Sequence, residues 1–407
     1  MVGACGTPWT ARADDRGARV RVIGLMSGTS ADAVDAALVE WDDPLAPRPF
    51  RLRAYREDPL PAALQERIHA LAAGRTAPGQ TLREMLALDV LLAERFAASA
   101  EAVAADARIA LADVDAIASH GQTVAHHPEL RGSLQIGDPS LIAERTGCTT
   151  VADFRPRDLA AGGEGAPLAP FFHLAALGDP AESRLVLNLG GMANVTWLPK
   201  GGDPDAVVAF DVGPANTLID GVVRIASGGR ERIDRDGVRA RRGRVDRALL
   251  ARLLDDDFLR KAPPKSTGRE RYGAAEAEAL WREAERRPLA LDDLLATLVA
   301  FTAEVVAHAV REHLAGVESL DRLLVGGGGA RNPTLMHALA DALGGGVPVE
   351  PFDRHGVPAD AAEAMAFALL GRNALLGLPN HLPRCTGASR AAVLGEIALG
   401  RSGKLRS

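Results

Sequence analysis

The segment Arg21-Val22-Ile23-Gly24-Leu25-Met26-Ser27-Gly28-Thr29-Ser30 decides the fold, because an apolar stretch runs into a turn of small polar residues. The apolar half predicts a strand, and the apolar residues 36–39 beyond the turn predict the returning strand. The same arrangement occurs again later, where residues 184–189 lead into Gly190-Gly191-Met192-Ala193-Asn194 and residues 195–198 follow. The chain therefore contains one strand, turn and strand pattern twice.

A second pair of similar segments supports a duplication. Residues 116–118 are apolar and run into Ser119-His120-Gly121-Gln122, and residues 323–325 are apolar and run into Gly326-Gly327-Gly328-Gly329. Each half of the chain thus has a hairpin around a polar turn and, later, a strand that enters a loop of small residues. This order is typical of a duplicated α/β lobe.

Length and composition bound the class of protein. A chain of 407 residues exceeds one ordinary core and predicts two large lobes, and 47% hydrophobic with 25% charged residues is an ordinary globular balance. The net charge of −6 argues against nucleic acid as a partner. No run of about eighteen uncharged apolar residues predicts a membrane span. Helical spacing of apolar residues predicts helices over residues 82–105, 291–314 and 359–376.

The three cysteines, Cys5, Cys148 and Cys385, are far apart and lack metal-ligand spacing. They support neither a disulfide framework nor a zinc site, so we expect a protein of the reducing cytoplasm.

The first polar turn is a candidate phosphate site. Its small residues leave backbone N–H groups and hydroxyls beside one another, and Asp32 and Asp35 are suited to hold Mg²⁺ directly or through water. It is not a Walker loop, because no lysine follows the glycine. The alternative is a tight hairpin whose small residues only avoid crowding.

The four-glycine loop and one carboxylate are further candidates. Four glycines between a strand and the helical pattern that follows Pro333 let the backbone approach a flat or charged ligand, although a flexible turn is the alternative. Asp211 ends the apolar residues 207–210, where α/β folds place catalytic acids. A turn or helix-capping aspartate is the alternative there.

Two more segments carry polar groups. Residues 153–158 place Arg155 and Arg157 before a glycine-rich loop, which suits either anion binding or an ion-pair network between lobes. His120-Gly121-Gln122-Thr123, with His126-His127 after it, lacks the spacing of a metal motif. Gln122 and Thr123 are predicted to hydrogen-bond a polar ligand, with an ordinary surface loop as the alternative.

Taken together, these motifs resemble the anhydro-N-acetylmuramic acid kinase family, a branch of the sugar kinase, heat-shock protein 70 and actin superfamily. The resemblance extends over about residues 22–399. Its further motifs are Leu134-Gln135-Ile136-Gly137-Asp138, Gly165-Ala166-Pro167-Leu168, Lys265-Ser266-Thr267-Gly268-Arg269-Glu270 and Thr386-Gly387-Ala388-Ser389.

The resemblance implies an α/β fold of two actin-like (ribonuclease H-like) lobes around an interlobe active-site cleft. We expect a disordered leader over residues 1–19, an N-terminal lobe over 20–155, a C-terminal lobe over 156–400 whose last helix packs back on the first lobe, and a tail over 401–407. A homodimer is a candidate assembly.

The resemblance also implies a reaction. ATP with Mg²⁺ phosphorylates O6 of 1,6-anhydro-N-acetylmuramic acid while a base-activated water opens the anhydro bridge, giving N-acetylmuramic acid 6-phosphate in cell-wall recycling. The base aligns with Asp211. Mg²⁺ is expected with ATP, with Asp32 as its candidate protein ligand and no protein cage. The residues expected to bind the nucleotide are Gly28, Thr29, Ser30, Ala31, Asp32, Ala33, Val34, Asp35, Gly190, Gly191, Asn194, Gly327, Gly328 and Gly329. Those expected to bind the sugar are His120, Gln122, Thr123, Arg155, Asp158 and Glu363.

Three positions depart from the family pattern, and two other functions compete. The turn has Ala31-Asp32-Ala33 in place of Leu-Asp-Gly, Asp211 precedes Val-Gly-Pro-Ala in place of Thr-Gly-Pro-Gly, and Glu164 replaces a glutamine. The missing glycine at Ala33 questions the geometry of the phosphate turn. The competing functions are a simple N-acetylhexosamine kinase and a non-enzymatic nucleotide-dependent switch on the same fold.

Overall fold

The computed structural model describes residues 19–314 and 319–401, so the predicted leader and tail, and Cys5, lie outside the described residues apart from positions 19 and 401. The chain folds as two compact units. The first unit runs to Ala166 and also contains Glu363–His381 and the residues from Ala388 onward. The second unit contains Pro167–Ala362 and Leu382–Gly387.

The first unit is built on one seven-stranded sheet. Numbered in chain order, its strands are β1 (Val20–Ser27), β2 (Ala33–Trp41), β3 (Phe50–Pro59), β4 (Ala116–His127), β5 (Gly132–Ile136), β6 (Thr150–Ala152) and β12 (Glu396–Ala398). The order across the sheet is β3-β2-β1-β4-β6-β12, and β5 pairs with β4. The β1–β2, β2–β3 and β6–β12 pairs are antiparallel, whereas β1–β4 and β4–β6 are parallel.

The second unit is built on a five-stranded sheet. Its strands are β7 (Arg184–Leu189), β8 (Met192–Leu198), β9 (Val208–Pro214), β10 (Arg322–Gly326) and β11 (Val349–Pro351). The order is β9-β8-β7-β10-β11, with β7–β8 and β8–β9 antiparallel and β7–β10 and β10–β11 parallel.

The two sheets share one topology. Strands β7, β8, β9, β10 and β11 repeat the order and directions of β1, β2, β3, β4 and β6. An antiparallel meander followed by parallel strands joined through helices is the arrangement that the repeated hairpins predicted. The α/β fold class, with a duplicated ribonuclease H-like lobe, is confirmed.

Helices cover the sheets. In the first unit they are α1 (Ala62–Ala72), α2 (Thr81–Asp106), α3 (Pro139–Thr146), α4 (Phe154–Ala160) and, from its second residue, α13 (Ala362–Leu375). In the second unit they are α5 (Ala169–Leu177), α6 (Asn216–Ala226), α7 (Val238–Arg242), α8 (Arg247–Leu254), α9 (Asp257–Arg260), α10 (Ala274–Arg286), α11 (Leu291–His313), α12 (Pro333–Ala342) and α14 (Pro383–Thr386). The three helices expected from apolar spacing, α2, α11 and α13, are confirmed.

Local sequence explains where two of these helices begin. Asp138 caps α3 by accepting hydrogen bonds from the N–H groups of Ser140 and Leu141, and a proline follows at the first helical position. Asn332 caps α12 in the same way, with Pro333 next. A capping side chain satisfies N–H groups that have no partner within the helix, and proline loses nothing at the first position.

Helix α13 lies very close to the sheet of the first unit. A Cβ added to Gly24 on β1 would come 1.8 Å from the carbonyl oxygen of Ala364, and one added to Gly371 would come 2.3 Å from Cβ of Ala118. Both glycines are therefore required by packing.

Helix α11 forms the centre of the second unit. It is long and apolar enough to cross a membrane by length and composition, but most of its apolar residues, such as Leu294, Phe301 and Val306, are buried in the core of its unit. The described residues contain no other helix of that kind.

The compact units differ from the predicted lobe limits. We expected a boundary after residue 155, whereas the first unit continues to Ala166. The reason is that α4 and the glycine-rich loop after it are fixed within the first unit, where Asp158 pairs with His381. Residues 382–387, by contrast, belong to the second unit.

Candidate active site

The first hairpin turn, residues 28–32, is held from beneath by a side chain of β4. The Ser27 hydroxyl donates to Oε1 of Gln122 at 2.7 Å, and Nε2 of Gln122 donates to the carbonyl of Gly28 at 3.0 Å. Gln122 is 1% exposed. Both ends of the Gln122 amide therefore support the turn, which gives this residue a structural task in place of the free ligand-binding group we expected.

The upper side of this turn is open. Thr29 and Asp32 are exposed, and the Ser30 hydroxyl donates to Oδ1 of Asp32 at 2.6 Å. Val34, in contrast, is fully buried, so its side chain belongs to the core. The turn thus presents hydroxyl groups and one carboxylate to solvent.

The family departure at Ala33 has little consequence for the backbone. Ala33 is the first residue of β2, pairs with Pro59 on β3, and is not among the residues of positive φ. The left-handed position is instead Ala31, with φ of 50°, whose N–H donates to the Gly28 carbonyl at 3.0 Å. The missing glycine therefore does not strain the strand.

Asp35 lies on β2 just beyond the turn. It accepts a hydrogen bond from the Tyr55 hydroxyl at 2.6 Å. Burial raises the pKa of Asp35 to about 6, against the effect of Tyr55, and the charges of Glu57, Glu363 and Asp32 add to the increase. Glu363, the second residue of α13, keeps part of its surface exposed. The protein around its carboxyl group nevertheless desolvates it and raises its pKa, and the charge of Arg155 opposes this increase.

His120 and Arg155 form a buried pair in the first unit. Nε and Nη2 of Arg155 donate to Nε2 of His120 at 3.2 and 2.8 Å, and Nδ1 of His120 lies 2.9 Å from the Gly121 carbonyl. Burial, with the positive charge of Arg155, lowers the pKa of His120 to about 3. The imidazole is neutral, carries its proton on Nδ1, and fixes the guanidinium. Thr123, near it on β4, accepts from the Gln135 amide at 3.1 Å.

Asp158 supports the loop that follows α4. It is 0% exposed, its Oδ1 lies 2.6 Å from Nδ1 of His381, and its Oδ2 accepts from the Gly165 N–H at 2.8 Å. The Gly165 carbonyl in turn accepts from Nη1 of Arg155 at 2.8 Å. Asp158 was expected to bind the sugar, but its burial beneath Gly163 and Gly165 places it behind the loop.

Asp211 lies in β9 of the second unit and is partly buried. Its N–H donates to the Lys265 carbonyl at 3.1 Å, and its Oδ2 accepts from the Thr267 N–H at 3.0 Å. Burial raises the pKa of Asp211; the Thr267 N–H opposes this and the charge of Glu270 adds to it. Within the described chain, Oδ1 has no hydrogen-bond partner. One carboxylate oxygen is thus fixed, and the other is available.

The second hairpin turn lies beside Asp211. Asn194 on β8 is the cross-strand partner of Asp211. The Gly191 carbonyl accepts from the N–H groups of Ala215 and Thr217 at 3.0 and 3.1 Å, and the Gly190 carbonyl accepts from the Asn216 N–H at 3.1 Å. The start of α6 therefore packs directly on this turn.

The glycine loop after β10 combines packed and open positions. A Cβ added to Gly327, whose φ is +74°, would come 2.5 Å from Oδ1 of Asn188, and one added to Gly329 would come 2.5 Å from Cβ of Leu189. Gly328 is exposed, and a Cβ there would meet nothing within 4 Å. Packing requires glycine at the first two positions, whereas Gly328 leaves bare backbone facing solvent.

A cavity near this loop is lined by an arginine-rich segment that carries none of the motifs described above. Its volume is about 810 Å³, and it is lined by residues 230–236, Val238, Arg239 and Arg242. The Thr334 hydroxyl at the start of α12 donates to the Gly237 carbonyl at 2.9 Å, so the cavity wall is joined to the element that follows the glycine loop. Exposed Ile233 and Val238 were the available signal, since isolated apolar residues interrupt the charged run.

Among residues 19–314 and 319–401, no group of three or more histidine, cysteine or acidic side chains is placed to hold a metal ion. His126 instead contacts the Ser133 hydroxyl at 3.0 Å, and His127 contacts Glu129 at 3.0 Å.

Solved structures of similar fold share little sequence with this chain. The activator of the 2-hydroxyisocaproyl-CoA dehydratase from Clostridium difficile is 14% identical with a TM-score of 0.41, covering 87% of this chain and 95% of that one. A ROK hexokinase from Thermus thermophilus is 18% identical with a TM-score of 0.35, covering 86% and 99%. These values are too low to inform on function.

Sequence relatives are much closer. An anhydro-N-acetylmuramic acid kinase of Salinibacter ruber is 41% identical and covers 94% of this chain and 97% of its own. One of Xanthomonas campestris pv. campestris is 45% identical over 92% and 96%, and one of Streptomyces coelicolor is 43% identical over 94% of each. The family model described as anhydro-N-acetylmuramic acid kinase matches residues 20–400. The resemblance inferred from the motifs is confirmed, and the chain belongs to the anhydro-N-acetylmuramic acid kinase family.

Proposed function

We propose that this chain is an ATP-dependent kinase of 1,6-anhydro-N-acetylmuramic acid that opens the anhydro bridge with water, and that Asp211 is the general base. The kinase activity on this sugar follows from family membership. The observation that supports Asp211 is its divided carboxylate, with Oδ2 held by the Thr267 N–H and Oδ1 without a partner in the described chain.

The proposed reaction needs one proton acceptor. The water oxygen attacks the anomeric carbon while Asp211 takes its proton, the bond from that carbon to O6 breaks, and O6 accepts the γ-phosphoryl group as ADP leaves. A general base works best when its pKa approaches the working pH. Burial raises the pKa of Asp211 and so moves it toward the working pH.

We assign phosphate binding to the first hairpin turn. Its exposed side carries backbone and hydroxyl groups, and Gln122 holds it rigid from below. Such an arrangement suits phosphoryl oxygens, because transfer depends mainly on positioning and charge neutralisation. The exposed Asp32 suits an ATP-bound Mg²⁺, which would neutralise phosphate charge when bound.

We place the nucleoside beside the glycine loop. Gly328 offers bare backbone, and the cavity joined to α12 offers exposed apolar side chains, Ile233 and Val238, for a flat base. Arginines of the same wall suit phosphate or ribose oxygens.

We assign sugar binding to a cluster in the first unit. Arg155 is fixed by His120 and by the Gly165 carbonyl, and its charge opposes the increase in the pKa of Glu363. A fixed guanidinium suits the lactyl carboxylate of the substrate, and Glu363 suits its hydroxyl groups. A cytoplasmic location is part of the proposal, supported by the wide spacing of the three cysteines, Cys5, Cys148 and Cys385, along the sequence.

Asp211→Asn tests the proposal. The variant keeps the hydrogen bond from Thr267 but cannot take a proton, so we expect turnover of the anhydro sugar to fall about 10²–10⁴-fold with ATP affinity unchanged. Asp205→Asn, an exposed carboxylate just before β9, is the matched control. Turnover is measured by mass spectrometry in ¹⁸O-labelled water, with label at the anomeric carbon read before exchange.

Three outcomes would contradict the proposal. If Asp211→Asn turned over the anhydro sugar at the wild-type rate, Asp211 would not be the general base. Phosphorylation of N-acetylglucosamine but not of the anhydro sugar would indicate a simple hexosamine kinase. Slow ATP hydrolysis unaffected by either sugar would indicate a nucleotide-dependent switch.

A further inference from the structure

Lys265 is a buried lysine that forms no ion pair within residues 19–314 and 319–401. The residue is 8% exposed, and its Nζ donates to the carbonyls of Phe258 and Leu259 at 3.2 and 3.1 Å. The ammonium also lies 4.9 Å from the ring centroid of Phe258 and 5.8 Å from that of Phe210. Within the described residues, no carboxylate contacts Nζ.

Such a placement is unfavourable by itself. Burial lowers the pKa of Lys265, and only the charge of Asp256 opposes this. Nε2 of His313 lies 3.4 Å from Nζ. Burial and the lysine charge lower the pKa of His313. A methionine or leucine would fill the same space without the cost of desolvating an ammonium. Something other than core packing must therefore require the amine.

The amine anchors a segment that contacts Asp211 twice. The carbonyl of Lys265 accepts from the Asp211 N–H at 3.1 Å, and the N–H of Thr267 donates to Oδ2 of Asp211 at 3.0 Å. The first contact fixes the position of the segment along β9. The second fixes the carboxylate.

We propose that Lys265 is a positioning residue for the general base: its ammonium ties residues 265–267 to the carbonyl groups of α9, and so keeps the Thr267 N–H on Oδ2 of Asp211. This inference rests on the proposed function of Asp211. Two carbonyl dipoles and two ring faces hold the ammonium in one place, while the backbone next to it is aligned with β9. The anchor thus fixes the orientation of the Asp211 carboxylate toward the substrate.

The anchor also affects proton affinity. The Thr267 N–H lowers the pKa of Asp211, and the neighbouring Glu270 raises it. Loss of the N–H contact removes the lowering effect, so the base becomes protonated at a higher pH. A base must be deprotonated to act, so the acidic limb of the rate profile then moves to higher pH.

Lys265→Met tests this inference, with Lys261→Met, an exposed lysine four positions earlier, as the control. We measure kcat, KM for ATP and KM for the anhydro sugar from pH 5 to 9. For Lys265→Met we expect kcat to fall on the order of tenfold to 100-fold, while KM for ATP stays within about twofold. The acidic limb of the kcat profile should move to higher pH by about half a pH unit or more. Lys265→Arg, which keeps a cation, should lie between Lys265→Met and the wild type. Lys261→Met should match the wild type.

The inference is overturned if folded Lys265→Met keeps the wild-type acidic limb, whether its rate is unchanged or lowered equally at every pH. If Lys265→Met is not recovered folded, Lys265→Gln, which is neutral and one atom shorter, decides: a raised limb supports the anchor and a wild-type limb overturns it. Asp211→Asn, measured beside them, separates the two proposals. An active Asp211→Asn refutes the base itself, whereas an inactive Asp211→Asn with a normal limb in the Lys265 variants refutes only the anchor.

Discussion

The two hairpin turns occupy the same place in the two sheets but differ in what covers them. Residues 28–32 join β1 to β2 and are supported from below by Gln122, with Thr29 and Asp32 exposed above. Gly190 and Gly191 join β7 to β8 and are covered by the start of α6, whose N–H groups donate to both glycine carbonyls. One topology thus carries an open turn and a packed turn.

This difference teaches that glycine has two uses in this chain. In the packed turn, glycine leaves room for neighbouring side chains, since a Cβ on Gly191 would come 2.7 Å from the Thr217 hydroxyl. In the open turn the nearest atom to a Cβ on Gly28 is the Ser30 hydroxyl at 3.8 Å, so the bare backbone is available to a ligand.

The largest effect is expected from Gln122→Leu, which removes the support of the open turn. It removes one hydrogen bond each from the buried Ser27 hydroxyl and the Gly28 carbonyl, which keep the Ala33 carbonyl and the Ala31 N–H as partners. The free energy of unfolding should therefore fall by about 1–3 kcal/mol, and KM for ATP should rise. Denaturant unfolding and steady-state kinetics measure these changes.

The control for that variant is Gln135→Leu, which removes an amide that contacts Thr123 and Ser133 but not the turn. It should leave KM for ATP unchanged. An unchanged KM for ATP in Gln122→Leu would mean that the open turn does not bind phosphate.

The second effect is expected in the packed turn. Gly191→Ala forces a methyl group against Thr217, and such overpacking should lower the free energy of unfolding by about 1–3 kcal/mol. Gly190→Ala is the matched change, because its nearest neighbour would be 3.7 Å away, an ordinary contact. The loss should be partly restored in a Gly191→Ala, Thr217→Ala double variant, which removes the hydroxyl that the new methyl group meets. Equal stability of Gly191→Ala and Gly190→Ala would refute the packed assignment.

The third prediction compares an open glycine, Gly328, with a packed one, Gly329, in the loop after β10. Gly328→Ala should leave thermal stability unchanged and weaken ATP binding by about tenfold, because the added methyl meets only solvent or ligand. Gly329→Ala should instead destabilise the fold, since its Cβ would come 2.5 Å from that of Leu189. Isothermal calorimetry and thermal melts separate the two, and unchanged ATP affinity in Gly328→Ala would remove this loop from the nucleotide site.

The smallest effect concerns Asp35, the third residue of β2, whose counterpart in β8 is Asn194. Because folding raises the pKa of Asp35 to about 6, the folded protein binds this proton more tightly than the unfolded chain. Its deprotonation therefore costs stability above about pH 6 and costs nothing below about pH 4.

Asp35→Asn, which makes the first hairpin resemble the second, should thus raise the free energy of unfolding by about 1 kcal/mol at pH 7.5, and this gain should disappear near pH 4. Asp32→Asn changes an exposed carboxylate of the same hairpin and should have a much smaller effect, because its charge is the last of the causes that raise the pKa of Asp35. Denaturant unfolding at both pH values measures it, and a gain that persists at pH 4 would mean that burial is not its cause.

The sequence predicted the strands whose residues form apolar runs, because such runs have no other stable place in an α/β unit. It missed β3 (Phe50–Pro59), in which Arg51, Arg53 and Arg56 alternate with apolar residues and no continuous run marks the strand. It also could not find that residues 156–166 stay with the first unit, because the contact responsible, between Asp158 and His381, joins positions far apart in the chain.

The sequence singled out polar residues of the candidate site but not the contacts that they make. Gln122 and Asp158 are both polar residues of the candidate site, yet they hold backbone groups beneath it. Sequence gives no access to burial, and burial separates a side chain that touches a ligand from one that supports the loop. The Thr267 N–H on Asp211 was equally hidden, because any residue except proline can supply a backbone donor.

The bulge in β9 limits how this enzyme can change its length. Asn194 pairs with Asp211 and Ala193 pairs with Gly213, so Val212 is an extra residue in the strand. Deleting Val212 would restore regular pairing with Asp211 still opposite Asn194, whereas a change that shifts Asp211 by one position along β8 would turn its carboxylate to the opposite face of the sheet. Natural variation and engineering can therefore lengthen or shorten the loop before β9, but an insertion or deletion that shifts Asp211 by one position in the sheet removes the proposed base without changing any amino acid of the site.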